Sequence, residues 1–173
     1  MIIVIKELIS KDAIDQRLAE LGKEISKDYE GQELTIVVTL KGAFITAANL
    51  GLNLSGNINF LFTRVSSYGN LKESSGKVVM VNDIDQDLSG KNILIVEDII
   101  DSGNTLKFLK EEYLKRNANS VKIFALLDKP SRRKVDLTPD YCGFVVEDKF
   151  IVGYGLDDNE KYRNLPYVGY IEE

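Results

Sequence analysis

Two adjacent carboxylates, Glu97 and Asp98, follow the apolar run Ile93–Val96. A polar segment comes next, and a helical pattern begins at about Asn104. In open α/β sheets, ligands bind beyond the carboxyl ends of the strands, and the first turn of a helix offers free backbone N–H groups to a phosphate. Ser102 and Thr105 add hydroxyl donors for such a phosphate, and Gly103 permits close approach of the backbone. The pattern therefore predicts a strand that ends at Val96 and a phosphate-binding turn with two acids beside it.

Other chemistries are excluded by residues that the chain lacks. It contains no histidine, so a Ser-His-Asp or Cys-His nucleophilic site and a His-ligated zinc are ruled out. The G-x-x-x-x-G-K-[ST] spacing of a Walker A loop is also missing. Proton transfer must then use a carboxylate, lysine, tyrosine or water. The single cysteine, Cys142, adjoins Gly143 in an apolar run, which favours a buried structural thiol and a reducing cytoplasm.

Chain length and net charge limit the classes to which the protein can belong. A chain of 173 residues predicts one domain. The net charge of -5 and a pI of about 5.0 argue against broad binding to nucleic acid or to a membrane surface. We expect neither a secretory signal nor a membrane span, because the N-terminal apolar run is short and interrupted by charges.

The elements that must position the acids alternate along the chain between strand and helix patterns. The expected strands are Ile2–Ile9, Leu34–Leu40, Ile58–Val65, Lys77–Val81, Asn92–Val96 and Val121–Leu127, and the expected helices run from Ser10 to about Tyr29, over Ala43–Leu50 and over Thr105–Arg116. Continuous apolar strands in this order predict an α/β fold with a mostly parallel twisted sheet covered by helices on both faces. After Pro139 the strands become short and rich in glycine and aromatic residues. We expect a small hood formed by about 1–9 and 140–173.

The segment Ile93–Thr105 resembles the signature of type I phosphoribosyltransferases for 5-phosphoribosyl-1-pyrophosphate (PRPP), in the form of the hypoxanthine-guanine branch. The resemblance implies that Glu97 and Asp98 face the ribose hydroxyls and a Mg²⁺ ion. It implies that Asp101 through Thr105 wrap the 5′-phosphate, with Asn104 contributing its backbone. Asp101 would also serve as general acid or base at purine N7, and Ile99 would adjoin the purine. A plain strand, turn and helix with solvated acids is the alternative interpretation.

Two further loops resemble parts of the same family. Leu40-Lys41-Gly42 is similar to the pyrophosphate loop, in which a non-proline cis bond would join Leu40 and Lys41. An ordinary strand-to-helix turn is the alternative. The long polar stretch from Ser66 contains Ser67-Tyr68-Gly69, which resembles the flexible catalytic loop. There Tyr68 would exclude water and Ser67 would donate to pyrophosphate, although a solvated hairpin tip would also fit.

The purine pocket is assigned by resemblance to residues near the end of the chain. Lys129 would donate to the O6 atom of the purine, unless it is a surface lysine in the same basic turn as Arg132 and Arg133. Phe150 would stack on the purine, and the main chain of Ile151 would bond the N1 and C2 side. The alternative for both is strand core.

The same resemblance assigns a metal ligand and a pyrophosphate arginine. Asp157 would end the purine-binding segment Asp148–Asp157, called the purine segment below, and would coordinate Mg²⁺ together with pyrophosphate oxygens, because Mg²⁺ prefers oxygen ligands. Glu97 and Asp98 are the other candidate metal ligands. Arg163 would grip the diphosphate. The intervening Asp158, Glu160 and Lys161 have no assigned role and fit a solvated turn.

The resemblance implies an enzyme of purine salvage that transfers the phosphoribosyl group of PRPP to N9 of hypoxanthine, with guanine as the expected second base. The products would be IMP or GMP and pyrophosphate. A homodimer or homotetramer is expected. The acids at Glu97, Asp98 and Asp101 argue against an adenine-type enzyme, whereas a xanthine preference stays open. A regulator that binds RNA or DNA is the other alternative, and the negative charge disfavours it.

Overall fold

The computed structural model describes residues 2–68 and 77–172, without the side chains of Ser67 and Tyr68. Its strands are β1 (Val4–Ile9), β2 (Glu33–Thr39), β3 (Asn57–Tyr68), β4 (Lys77–Asn82), β5 (Asn92–Ile100), β6 (Ser120–Asp128), β7 (Tyr141–Val145), β8 (Ile151–Val152) and β9 (Val168–Glu172). Its helices are α1 (Lys11–Asp28), α2 (Phe44–Leu52) and α3 (Asn104–Lys115), and a 3₁₀ turn spans Pro130–Arg132. None of the helices in the described ranges is long and apolar enough to cross a membrane.

The main sheet has six strands in the order β4-β3-β2-β5-β6-β7. Every pair in it is parallel except the antiparallel β3 and β4. Alternate residues of a strand face opposite sides, so Ile36 and Val38 of β2 pack with α1 and α2, whereas Val37 packs with α3. The predicted mostly parallel sheet covered on both faces is confirmed.

Helix α1 begins directly after Ser10, the residue that the sequence predicted as its cap. The Ser10 hydroxyl accepts a hydrogen bond from the Ala13 backbone N–H at 3.1 Å, which satisfies one of the free donors at the helix start. The apolar stripe of α1, including Ile14, Leu18 and Ile25, is buried against the sheet.

Two boundaries differ from the sequence predictions. Strand β5 does not end at Val96: its pairing with β6 continues through Glu97 and on to Ile100, so the paired acids lie within the strand. Strand β7 was expected in the hood, but Tyr141–Val145 pairs in parallel with β6 and buries Tyr141 against α1. The hood boundary at 140 was therefore wrong for this strand.

The hood itself is a three-stranded antiparallel sheet in the order β1-β9-β8. It joins the first strand of the chain to the last, as the sequence predicted. Ile151, Tyr154 and Val168 of this region pack into the same apolar cluster as α1 and α2. That packing holds the hood against the main sheet, beside the loops described next.

Candidate active site

A cavity of about 340 Å³ opens at the carboxyl ends of β2 and β5. This is the edge at which parallel sheets bind ligands. The residues that line it and were predicted as site residues are Leu40, Gly42, Glu97, Asp98, Ile99, Asp101, Ser102, Gly103 and Thr105. Thr39, Val65, Ile100 and Leu106 complete the lining. Residues 101–105, called the phosphate turn below, therefore share one cavity with the loop after β2.

The Glu97 carboxylate is held at the wall of this cavity by Thr39. The Thr39 hydroxyl lies 2.8 Å from Glu97 Oε1 and 3.0 Å from the carbonyl oxygen of Val96. Burial, followed by the neighbouring Asp98 charge, raises the pKa of Glu97 well above its usual value. Thr39 was not predicted as a site residue. A hydroxyl residue that closes a buried apolar strand was the signal that could have found it.

Gly42, in the loop after β2, lies close to Asp98 and to Gly155, which is in the segment between β8 and β9. A Cβ atom on Gly42 would lie 1.8 Å from Asp98 Oδ2, and one on Gly155 would lie 2.2 Å from the carbonyl oxygen of Gly42. Only glycine fits such approaches without a shift. The peptide bond between Leu40 and Lys41 is cis, as the resemblance implied.

The phosphate turn leads directly into α3. Gly103 adopts φ +84°, in the left-handed region that favours glycine, and a Cβ there would also meet Val135 at 2.9 Å. The Ser102 hydroxyl accepts from the Asn104 backbone N–H at 3.3 Å. The predicted start of the helix at about Asn104 is confirmed.

Arg133 and Lys134, in the segment after β6, bond the main chain of the phosphate turn. Arg133 donates through Nε to the carbonyl oxygen of Asp101 at 3.2 Å, and the Lys134 backbone N–H donates to that of Ser102 at 2.9 Å. The other guanidinium nitrogens of Arg133 bond the Asp128 carboxylate and the carbonyl oxygen of Leu137. The interpretation of Arg133 as a surface residue of a basic turn is therefore wrong.

Lys129 connects the phosphate turn to the purine segment. Its ammonium donates to the carbonyl oxygen of Lys149 at 2.7 Å and lies 3.8 Å from Asp101 Oδ1 and 3.6 Å from Asp148 Oδ1. The residue is only 8% exposed, which excludes the surface lysine considered from the sequence. The structure thus brings the predicted base, Asp101, next to the predicted O6 donor.

Phe150 and Ile151 occupy different environments. Phe150 is 55% exposed, so its ring is available for stacking and is not strand core. Ile151 is buried in β8 and lies opposite Tyr170 of β9. For Ile151 the side chain is core, as the alternative held, and only its main chain is left for a ligand.

Arg163 and Lys41 meet at one carboxylate. Arg163 donates to the carbonyl oxygen of Gly155 at 2.6 Å, and its Nη2 lies 3.3 Å from Asp157 Oδ1 and 3.2 Å from Glu160 Oε1. Lys41 Nζ lies 3.1 Å from Glu160 Oε2. Arg163 Nε is buried and has no hydrogen-bond partner within 2–68 and 77–172. Both cations line a second cavity of about 520 Å³ next to Leu40.

Comparison with known proteins identifies the family to which the chain belongs. Residues 5–159 match the family described as "Phosphoribosyl transferase domain". The chain is 47% identical over 96% of its length to the hypoxanthine-guanine phosphoribosyltransferase of Bacillus subtilis and covers 93% of that protein. This chain belongs to the phosphoribosyltransferase family, in its hypoxanthine-guanine branch. The resemblance inferred from the sequence is confirmed.

Solved structures agree with this phosphoribosyltransferase assignment. A hypoxanthine-guanine phosphoribosyltransferase from Bacillus anthracis is 46% identical, with a TM-score of 0.92 over 96% of this chain and 98% of that one. A hypoxanthine phosphoribosyltransferase from Staphylococcus aureus is 40% identical, with a TM-score of 0.93 over 96% of this chain and 91% of that one. The type I phosphoribosyltransferase fold is thereby confirmed. The chain is also 45% identical to the bifunctional protein TilS/HprT of Listeria monocytogenes, but it spans only 26% of that protein's length.

The phosphoribosyltransferase site has oxygen donors that suit Mg²⁺. Within the described ranges, no group of three or more carboxylates is close enough to hold a metal unaided, so Glu97, Asp98 and Asp157 do not form a complete protein cage. Mg²⁺ is commonly bound by one or two carboxylates and completed by substrate phosphates and water. The paired acids, with the closely approaching main chain of Gly42, fit that mode.

Two predicted catalytic residues and the single cysteine complete the residues considered from the sequence. The side chains of Ser67 and Tyr68 lie outside the described part of the chain, so their assigned roles stay predictions. Cys142 is half-buried in β7, and burial raises the pKa of its thiol, as expected of a structural cysteine.

Proposed function

We propose that the protein is a hypoxanthine phosphoribosyltransferase, which transfers the 5-phosphoribosyl group of PRPP to N9 of hypoxanthine, with guanine as the second base. The products are IMP or GMP and pyrophosphate. The observation that carries the proposal is the shared cavity: the paired acids, Gly42 and the phosphate turn line it together, and Lys129 joins it to the purine segment. The B. subtilis and B. anthracis relatives, named for this activity, support it.

Transfer needs positioning and one proton step, with no covalent nucleophile. The phosphate turn holds the 5′-phosphate at the start of α3, where backbone N–H groups and the helix dipole favour an anion. Glu97 and Asp98 face the ribose as positive charge develops at C1′. Asp101 exchanges the proton at purine N7, and its side chain is half-exposed and close to Lys129, which suits a group that must meet the base.

The diphosphate leaves toward the loop after β2. Backbone N–H groups of Lys41 and Gly42 bind it together with the cations Lys41 and Arg163, whereas the Leu40 N–H already donates to the carbonyl oxygen of Thr63 at 2.8 Å. Bound together with the diphosphate, Mg²⁺ supplies charge neutralisation, with Glu97, Asp98 and Asp157 as its candidate ligands. We include Mg²⁺ in the proposal because all three candidates offer hard oxygen donors.

Base selection rests on Lys129 and Phe150. The Lys129 ammonium donates to O6 of hypoxanthine or guanine, whereas adenine presents a donor at that position, with which the ammonium cannot pair. The exposed Phe150 ring stacks on the purine. Neither contact separates xanthine from guanine, because the C2 side faces the main chain of Ile151.

The direct test is pyrophosphate release from PRPP with hypoxanthine, guanine, xanthine and adenine, each with and without Mg²⁺. We expect turnover with hypoxanthine and guanine, none with adenine, and none after chelation of the metal. Lys129→Met is the variant that probes selection, and Lys115→Met, at an exposed lysine in the last turn of α3, is its control. A folded protein that binds no PRPP and converts no oxopurine would refute the proposal.

We further propose that the protein is a cytoplasmic homodimer or homotetramer. Four exposed apolar residues lie on the β3–β4 face that turns away from α3: Phe60, Phe62, Val79 and Val81. Contiguous exposed apolar surface of this kind marks protein interfaces. Phe62→Glu should dissociate the oligomer in sedimentation equilibrium, and Leu114→Glu, at an exposed leucine on α3, should not. A monomeric wild-type protein would refute this part.

A further inference from the structure

Glu160 holds the two cations that the proposed function assigns to pyrophosphate. One carboxylate oxygen lies 3.2 Å from Arg163 Nη2, and the other lies 3.1 Å from Lys41 Nζ. The Glu160 side chain is 62% exposed, so nothing in the described structure encloses it. Hydrogen bonds from Lys41 and then from Arg163 lower the pKa of this carboxyl, which keeps it charged at neutral pH.

The backbone presents Glu160 in an unusual way. Asp158 and Lys161 exchange both backbone hydrogen bonds, at 3.1 and 3.0 Å, around the two-residue tip Asn159-Glu160. Both tip residues have positive φ, 49° and 67°, which is the pattern of a type I′ turn. That turn favours Asn-Gly, so a glutamate occupies the position at which glycine is preferred. An unfavourable residue at a left-handed position points to a role for its side chain.

The turn is also anchored next to a residue of the site. The Glu160 backbone N–H donates to Asp157 Oδ2 at 2.8 Å, while Asp157 Oδ1 faces Arg163. Main-chain geometry and this bond therefore aim the Glu160 carboxylate at the gap between Lys41 and Arg163. A carboxylate with two cations at hydrogen-bond distance presents the same kind of anionic oxygen acceptors that a diphosphate would present.

We propose that the Glu160 carboxylate stands in for the diphosphate in the free protein and competes with it for Lys41 and Arg163. This inference rests on the proposed function, which makes those two cations the diphosphate ligands. Glu160 keeps the cations together while the site is empty. A diphosphate that arrives must displace it, and its return to the cations promotes release of pyrophosphate. Glu160 thus weakens the binding of pyrophosphate and of PRPP.

The test measures the affinity of magnesium pyrophosphate by titration calorimetry and by product inhibition. Glu160→Gln removes the charge at constant size, and Glu160→Gly removes the whole side chain and suits the positive φ. Each exposed ion pair is worth up to roughly a fivefold change in affinity, so both variants should bind pyrophosphate about three- to tenfold more tightly. The KM for PRPP should fall in parallel, whereas a loosened fold would raise both constants.

The matched control is Asp158→Asn, which neutralises a neighbouring carboxylate whose recorded side-chain bond is to Asn159. It should leave pyrophosphate affinity within about twofold. Unchanged or weaker binding in the two Glu160 variants would overturn the inference. Tighter binding in Glu160→Gln alone would also overturn it, because the new amide could itself donate to the diphosphate.

Failure of the proposed function would look different. A wild-type protein that binds neither pyrophosphate nor PRPP would remove both claims at once. If the wild type binds pyrophosphate but Lys41→Met and Arg163→Met bind it equally well, the assignment of the two cations is wrong. If those variants weaken binding and the Glu160 variants do not strengthen it, the function stands and only the competition fails.

Discussion

Replacement of Arg133 by methionine should destabilise the fold and slow the reaction. The guanidinium of Arg133 bonds the Asp128 carboxylate, the carbonyl oxygen of Leu137 and the carbonyl oxygen of Asp101. The Arg133 and Asp128 side chains are 12% and 10% exposed. Methionine keeps much of the aliphatic stem but leaves the Asp128 carboxylate without this cation. The phosphate turn also loses its side-chain support at Asp101.

The expected magnitude follows from that burial. Breaking a buried ion pair on one side costs about 3–5 kcal/mol, since an unpaired charge stays behind. The slight exposure of both side chains places the Arg133→Met cost near the lower end, at about 3 kcal/mol. For a chain of 173 residues this lowers Tm by roughly 6–12 °C. The double variant with Asp128→Asn should recover about 1–2 kcal/mol, because the unpaired charge is then gone.

Urea unfolding and initial-rate kinetics test this prediction together. Arg132→Met is the matched control, because Arg132 is 58% exposed and its ion pair with Asp148 lies at the surface. It should cost less than about 0.5 kcal/mol. For Arg133→Met we expect a fall in kcat that exceeds the rise in KM for hypoxanthine. Equal unfolding free energies for the two arginine variants would refute the reasoning.

Three further predictions concern the cavity itself. Asp101→Asn should lower turnover by about two to four powers of ten in initial-rate assays, the usual contribution of acid–base catalysis. Burial, and then the Asp98 charge, raises the pKa of Glu97, so the folded state binds this proton more tightly than the unfolded chain does. The free energy of unfolding should therefore fall by up to about 1.4 kcal/mol per pH unit as the pH rises from the pKa of Glu97 in the unfolded chain toward its pKa in the folded protein. Glu97→Gln should remove this loss, as measured by urea titrations from pH 4 to 8, and should abolish activity. Gly42→Ala should raise the KM for PRPP at least tenfold and cost about 1–3 kcal/mol of stability, because its Cβ would lie 1.8 Å from Asp98 Oδ2.

Each of these has a result that contradicts it. Full turnover of a folded Asp101→Asn protein would remove Asp101 from proton transfer. A Glu97→Gln variant whose stability runs parallel to the wild type at every pH would show that the Glu97 proton is not bound more tightly in the folded state. A normal KM and normal Tm for Gly42→Ala would mean that the Asp98 carboxylate moves aside at no cost. Thr46→Ser, at a buried α2 position away from the cavity, controls for local repacking.

Sequence patterns predicted the features that depend on neighbours along the chain. The apolar runs of β2, β5 and β6, the cap at Ser10 and the start of α3 all follow from local periodicity and turn chemistry. The end of β5 did not follow, because two acids normally argue against a strand. The pairing of Glu97 with Ala125 and of Ile100 with Asp128 continues across them, and only the partner strand supplies that information.

Contacts between side chains that are distant in sequence could not be predicted from local sequence patterns. Thr39 meets Glu97 from another strand, and Arg133 meets Asp101 across more than thirty residues of chain. Glu160 shows the same limit: Asp158-Asn159-Glu160-Lys161 has the composition of a solvated turn, yet Lys41 reaches it across 119 residues. Charge type alone does not separate a solvated acid from one that bridges two cations, since the partners come from distant loops.

The contacts of Lys129 and Arg133 join the proposed purine and phosphate subsites into one unit. The Lys129 backbone N–H donates to the carbonyl oxygen of Ile100 at 3.0 Å, while its ammonium reaches Asp101 on one side and Lys149 on the other. Arg133 ties the same short segment to the main chain of Asp101. We therefore expect a shift of the phosphate turn to move Lys129, the proposed O6 donor, with it, and so to change the position of the base together with that of the sugar phosphate. Since displacement at C1′ depends on these positions, loss of the Arg133 support should act on kcat more than on the affinity for either substrate.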